Sequence, residues 1–133
     1  MLRAFCILGA FMTASLAAAE ERCAPGAPAV DMIIVSVVTD TARYVQYRAA
    51  LAKSQLIPRL GGEVLAVGTR LAAAPTLLEG TWPENRHTFA IRWPCEAAAR
   101  AFWESPEYQT EILPLRVGAG TFDVALFPAY APK

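Results

Sequence analysis

Residues 32–39 read Met32-Ile33-Ile34-Val35-Ser36-Val37-Val38-Thr39, an almost unbroken run of β-branched and apolar side chains. The run is short and bounded by polar residues, so it predicts a central β-strand covered on both faces. Downstream, Asp40 or Thr39 can cap a helix beginning near Thr41. Tyr44, Val45, Arg48, Leu51, Ala52 and Gln55 then recur at helical spacing. Pro58 predicts a kink or a fresh turn over 54–60. Gly61-Gly62 ends it, with Gly61 as the left-handed cap.

Glu63–Gly68 alternates and reads as a second strand, and Thr76–Glu79 as a short edge strand before the turn-rich loop 80–85. His87–Trp93 alternates cleanly, with His87, Phe89, Ile91 and Trp93 on one face. Glu96–Glu104 is a strong helix that Ser105-Pro106 restarts toward Arg116. Gly118 and Gly120 break the chain before a last strand, Phe122–Phe127. The order predicts an α+β, ferredoxin-like βαββαβ domain over 31–133: a four-stranded antiparallel sheet with helices on one face. The other face would be bare and apolar, which predicts a homodimer formed sheet to sheet. Phe102-Trp103 opposite Ile112-Leu113 reads as core, and Trp93, at a strand end, as interface or rim.

Upstream, residues 1–19 read as a signal peptide: Arg3, then the apolar stretch Ala4–Leu16, then Ala17-Ala18-Ala19 as a small-residue cleavage site. Cleavage after Ala19 would leave a flexible Ala/Pro tail over 20–30 and a periplasmic or secreted protein free of the membrane. Cys6 would leave with the signal. Cys23 and Cys95 would remain, where they can form a disulfide, stay unpaired, or leave Cys95 as a reactive thiolate near a helix start.

The 133 residues carry 12 Lys+Arg against 12 Asp+Glu and one His. Zero net charge gives no basic surface for nucleic acid, and 55% hydrophobic residues argue against disorder. There is no G-x-S-x-G, H-E-x-x-H, P-loop or complete G-x-G-x-x-G motif, and no recognisable haem, flavin or metal ligand set.

Tyr44-x-x-Tyr47, Gly61-Gly62, Leu78-Glu79-Gly80-x-Trp82-Pro83, Arg86, Ala98/Ala99-x-x-Phe102-Trp103-x-Ser105-Pro106-x-Tyr108 and Arg116 together resemble the family called domain of unknown function 1330. The resemblance covers about Met32 to Phe127. It implies a ferredoxin-like protomer of the dimeric α+β barrel type, a superfamily that includes cofactor-independent monooxygenases, isomerases and decyclising enzymes. The chain departs from the family pattern at Arg92, where an acidic residue is common, at Cys95, where a serine-like cap is common, and in its export signal.

The polar residues that match this pattern point to a small carboxylate or enolate. Arg116 or Arg86 would clamp the anion, Tyr44 and Tyr108 would donate, and Glu79 would act as base if desolvated. His87 is a further candidate. The candidate catalytic set is therefore Tyr44, Glu79, His87, Tyr108 and Arg116, with no cofactor and a small-molecule ligand. One reading is a cofactor-free enzyme moving a proton on, or oxidising, a small organic acid or phenol. The other is a non-catalytic or stress-related envelope protein, with Arg116 capping a helix end and Glu79 pairing with Arg86 across a turn. An enzyme predicts a polar cavity and a shifted imidazole or carboxyl; a binding protein predicts an apolar cavity.

Overall fold

The computed structural model describes residues 21–69 and 74–131. In chain order the elements are β1 (Val30–Val38), α1 (Thr41–Ser54), the short α2 (Leu56–Arg59), β2 (Glu63–Gly68), β3 (Arg86–Trp93) and α3 (Glu96–Trp103). A π-helical segment (Glu107–Ile112), a 3-10 turn (Leu113–Arg116) and β4 (Gly120–Pro128) complete the chain. The sheet order is β2-β3-β1-β4 with every pair antiparallel, which is the ferredoxin-like arrangement expected from the alternation. The expected signal peptide and its cleavage site lie outside the described residues.

Local chemistry sets the ends of the elements. The Asp40 carboxylate caps α1 by accepting from the Arg43 N–H at 3.0 Å. Gln55 turns left-handed (φ 54°) and closes α1, and Ser54 Oγ accepts from the Leu56 N–H at 3.1 Å to start α2. Gly61 (φ 86°) then frees the chain for β2. A Cβ on Gly62 would fall 2.7 Å from Ile57 Cγ2 and 2.8 Å from Trp93 Cη2, so only glycine fits there. Val45, expected on the buried face of α1, is exposed; the stripe is Tyr44, Tyr47 and Leu51.

Even-numbered residues of β1 face the helices. Register places Val30, Met32, Ile34 and Ser36 opposite Trp93, Ile91, Phe89 and His87 of β3. Met32, Ile34 and Ser36 lie opposite Leu126, Val124 and Phe122 of β4. Fully buried Ala98 and Ala99 let α3 approach this layer closely.

Three further expectations need correction. Trp93 is not at a rim. It is fully buried and lies 5.1 Å from the Phe102 ring, because α3 starts three residues later and folds back over it. Thr76–Glu79 forms no strand. Both sides of β3 are already taken, by β1 and β2, and Pro75 removes a ladder donor. β1 is covered on one face only within the chain: Val35 and Val37 on the other are each 37% exposed, as is Phe127 at 52%.

The chain's two departures within the domain have local partners. Arg92 donates to Asp31 through Nε and Nη2 at 2.9 and 3.0 Å across the β1–β3 ladder. Cys95 is disulfide-bonded to Cys23, so the segment around Cys23 is tied to the start of α3 and Cys95 is not a free thiolate. Among the described residues no helix is long and apolar enough to cross a membrane.

Candidate functional site

Ser36 is the one polar side chain pointing from β1 into the helix-facing layer, and its neighbour across the ladder is His87. Tyr44, from the first turn of α1, packs edge-on to the His87 ring with centroids 4.8 Å apart and planes at 79°. One helical turn on, Arg48 donates to the Tyr44 hydroxyl at a long 3.4 Å and lies 4.6 Å over the Phe89 ring. Arg116 enters from the 3-10 turn, its guanidinium 4.5 Å from the Phe122 ring, 5.6 Å from Tyr47 and 5.7 Å from Trp103. Together these side chains line a cavity of about 20 Å³, room for one water or one oxygen-sized group.

The electrostatics of this cavity are one-sided. Arg43, Arg59, Arg92 and Arg100 each pair with a carboxylate. Among the described residues Arg48 and Arg116 pair with none, and no acidic side chain lines the cavity. His87 is buried, and its pKa is lowered by desolvation and then by the Arg48 charge. Its imidazole is therefore neutral at pH 7, and Nδ1 has no hydrogen-bond partner. A neutral base facing two unneutralised guanidiniums can take a proton and stabilise the anion that remains.

Tyr44, His87 and Arg116 thus converge. Tyr108 reaches the site only through Tyr47, whose hydroxyl is 3.1 Å from its own. Burial raises the Tyr108 pKa, with Tyr47 adding and Arg116 opposing, so it stays protonated and acts as a brace. It sits in a π-helical segment, started by Ser105 Oγ accepting from the Tyr108 N–H at 3.2 Å. Such segments are rare and recur at functional sites. Glu79 lies on an exposed loop, away from the His87 cavity and from the larger grooves on either side of the helices. Arg86 stacks on Trp82 rather than pairing with Glu79.

Tyr47, Arg48 and Ser36 were not among the expected residues. Their signals were present: Tyr47 and Arg48 follow Tyr44 by three and four positions on a helix, and Ser36 is a single hydroxyl inside an apolar strand. On the other side of Arg48, Leu51 and Phe89 opens a groove of about 400 Å³, lined also by Ala52, Ile57, Pro58, Val64 and Val67. Among the described residues no cluster of three or more His, Cys, Asp or Glu is placed to hold a metal ion.

Residues 31–130 match the family model described as domain of unknown function (DUF1330). The chain belongs to the DUF1330 family. No curated protein matches this DUF1330 chain. Among solved structures, the methylated RPA0582 protein is similar at 18% identity and a TM-score of 0.56, over 80% of this chain and 84% of that one. A mutant of SnoaB, a cofactor-independent oxygenase from Streptomyces nogalater, is similar at 20% identity and a TM-score of 0.53, over 80% of this chain and 97% of that one. A second SnoaB structure gives 19% identity and a TM-score of 0.50 over the same shares. At these identities the likeness is one of fold, and the DUF1330 domain shares its α+β architecture with both proteins.

Proposed function

We propose that this DUF1330 protein is a cofactor-independent enzyme that moves a proton on a small organic acid or phenol. The acidic oxygen of the substrate enters the cavity between α1 and the sheet. His87 Nδ1 takes a proton from the substrate and becomes imidazolium. Arg48 and Arg116 hold the oxygen of the resulting phenolate or enolate, the imidazolium returns its proton to the substrate, and Tyr44 fixes the imidazole plane. The observation that carries this reading is a buried imidazole whose Nδ1 has no hydrogen-bond partner, on one cavity with two guanidiniums that lack carboxylates among the described residues. A base-generated carbanion or phenolate is also the species that a cofactor-free oxygenase must form before dioxygen reacts. The fold likeness to SnoaB is consistent with that chemistry.

The same reading makes the protein exported and homodimeric. Cys23 and Cys95, together with the sequence of residues 1–19, favour an oxidising compartment. Ile33, Val35, Val37, Ala125 and Phe127 are apolar positions on the open sheet face, beside Asp123 and the Asp31–Arg92 pair, and a second copy would cover them. A second reading, a binding protein for a hydrophobic small molecule, is favoured by the size and apolar lining of the neighbouring groove. Exchange in D2O separates the two. A panel of enolisable acids is incubated with the protein, and loss of the acidic C–H signal is followed by NMR. The enzyme reading expects exchange that His87→Gln abolishes. Tight binding with no exchange by the unsubstituted protein overturns it in favour of the binding reading.

A further inference from the structure

The cavity around His87 has room for one oxygen-sized group and cannot hold a whole substrate. The groove of about 400 Å³ lies within the range of small-molecule sites. Both are bounded by Arg48, Leu51 and Phe89. The groove is otherwise walled by aliphatic side chains, with Gln55 the one other polar residue among the described residues. Among the described residues it carries no charge besides Arg48.

From this juxtaposition we infer that the substrate is a monoanionic amphiphile: one acidic head that meets Arg48, and a bulky alkyl or aryl body that fills the groove. The inference rests on the proton-transfer reading for what happens at the head, and adds the body. Arg48 is the specificity-determining residue. Its stack on Phe89 and its long bond to Tyr44 hold it at the boundary. A hydrogen bond of that length is weak, so a carboxylate competes for the guanidinium with a shorter, charge-assisted pair. A second charge, or a row of hydroxyls, on the body would be desolvated against Leu51, Ile57 and Val67 without partners, so dicarboxylates and sugar acids are disfavoured.

The test uses three probes and isothermal titration calorimetry: benzoate, 4-hexylbenzoate and neutral 4-hexylbenzyl alcohol. The inference expects 4-hexylbenzoate to bind at least tenfold more tightly than benzoate and at least tenfold more tightly than the alcohol. Ala52→Trp, at an exposed helix position on the groove wall, and Val64→Glu, on edge strand β2, should each erase the gain from the hexyl chain. Arg48→Gln should erase the preference for acid over alcohol. Equal affinity for the two acids overturns the two-part substrate while leaving the head site standing. Tight 4-hexylbenzoate binding that none of the three variants alters places it elsewhere and overturns the inference. No binding of either acid overturns both the inference and the head site.

Discussion

Reduction of the Cys23–Cys95 bond tests how the N-terminal segment contributes to stability. The two cysteines are 72 residues apart in sequence. Cross-linking a loop of that length lowers the entropy of the unfolded chain, which amounts to about 4 kcal/mol at 25 °C in the chain-entropy model. Domains of this size have a total stability of about 5–15 kcal/mol, so a large share of it depends on one covalent bond. For about 100 ordered residues the same loss lowers Tm by roughly 20 °C. Cys23 and Ala27 also pack against the core, so release of the segment removes apolar contact as well. Urea unfolding, read by tryptophan fluorescence with and without a phosphine reductant, measures the difference. The expected result is a lower midpoint for the reduced protein, reproduced without reductant by a Cys23→Ser, Cys95→Ala double variant. Mass spectrometry after alkylation should show neither cysteine labelled until reductant is added. Equal midpoints, or labelling of both cysteines without reductant, would refute the reasoning.

Gly62→Ala should lower the urea midpoint by the equivalent of about 1–3 kcal/mol, because its methyl group collides with Ile57 and the fully buried Trp93. Tyr108→Phe removes the bond to the Tyr47 hydroxyl; it should cost about 0.5–1.5 kcal/mol of stability and lower turnover with the fold intact by circular dichroism. His87 has a lowered folded-state pKa, so the unfolded chain binds the extra proton first. The stability contribution of a neutral His87 is therefore complete above the ordinary histidine value of 6.5 and is lost as pH falls below it. His87→Gln should flatten that limb of the stability–pH curve. Val35→Asp with Val37→Asp places charge on the open sheet face, and light scattering should then give a monomer where the unsubstituted chain gives a dimer. A monomeric unsubstituted chain would reject sheet-to-sheet pairing.

Much of the fold was legible because local and global signals agree. The apolar run 32–39, the Asp40 cap, the Gly61 turn and the alternation of 87–93 each fix an element on their own. What failed was what sequence period cannot encode. Trp93 sits at a strand end in sequence, but the return of α3 buries it. Val45 fits a helical stripe, but two tyrosines and Leu51 fill the contact instead. Thr76–Glu79 has strand-like residues and no free edge of β3 to join.

The site divides the same way. Tyr44, His87 and Arg116 were identifiable by residue type, and the fold brings them together from α1, β3 and the 3-10 turn. Arg48 read only as one member of the helical stripe with Tyr44 and Leu51. Its importance lies in having no carboxylate nearby, which only tertiary structure reveals. Glu79 was the best base on chemistry alone, but its loop leaves it exposed and outside the cavity. Arg92 and Cys95, the departures from the family pattern within the domain, are accounted for by Asp31 and Cys23 and lie outside the cavity.

The central claim is that the His87 imidazole is neutral and faces an anion site. The chain contains one histidine, so a 15N-labelled imidazole gives a single, unambiguous set of resonances. Titration of the free protein should place its pKa below the ordinary 6.5. Saturation with 4-hexylbenzoate should move that pKa upward, because the bound carboxylate favours the imidazolium. A free-protein pKa at or above 6.5, or a value unmoved by the saturating acid, would contradict the account.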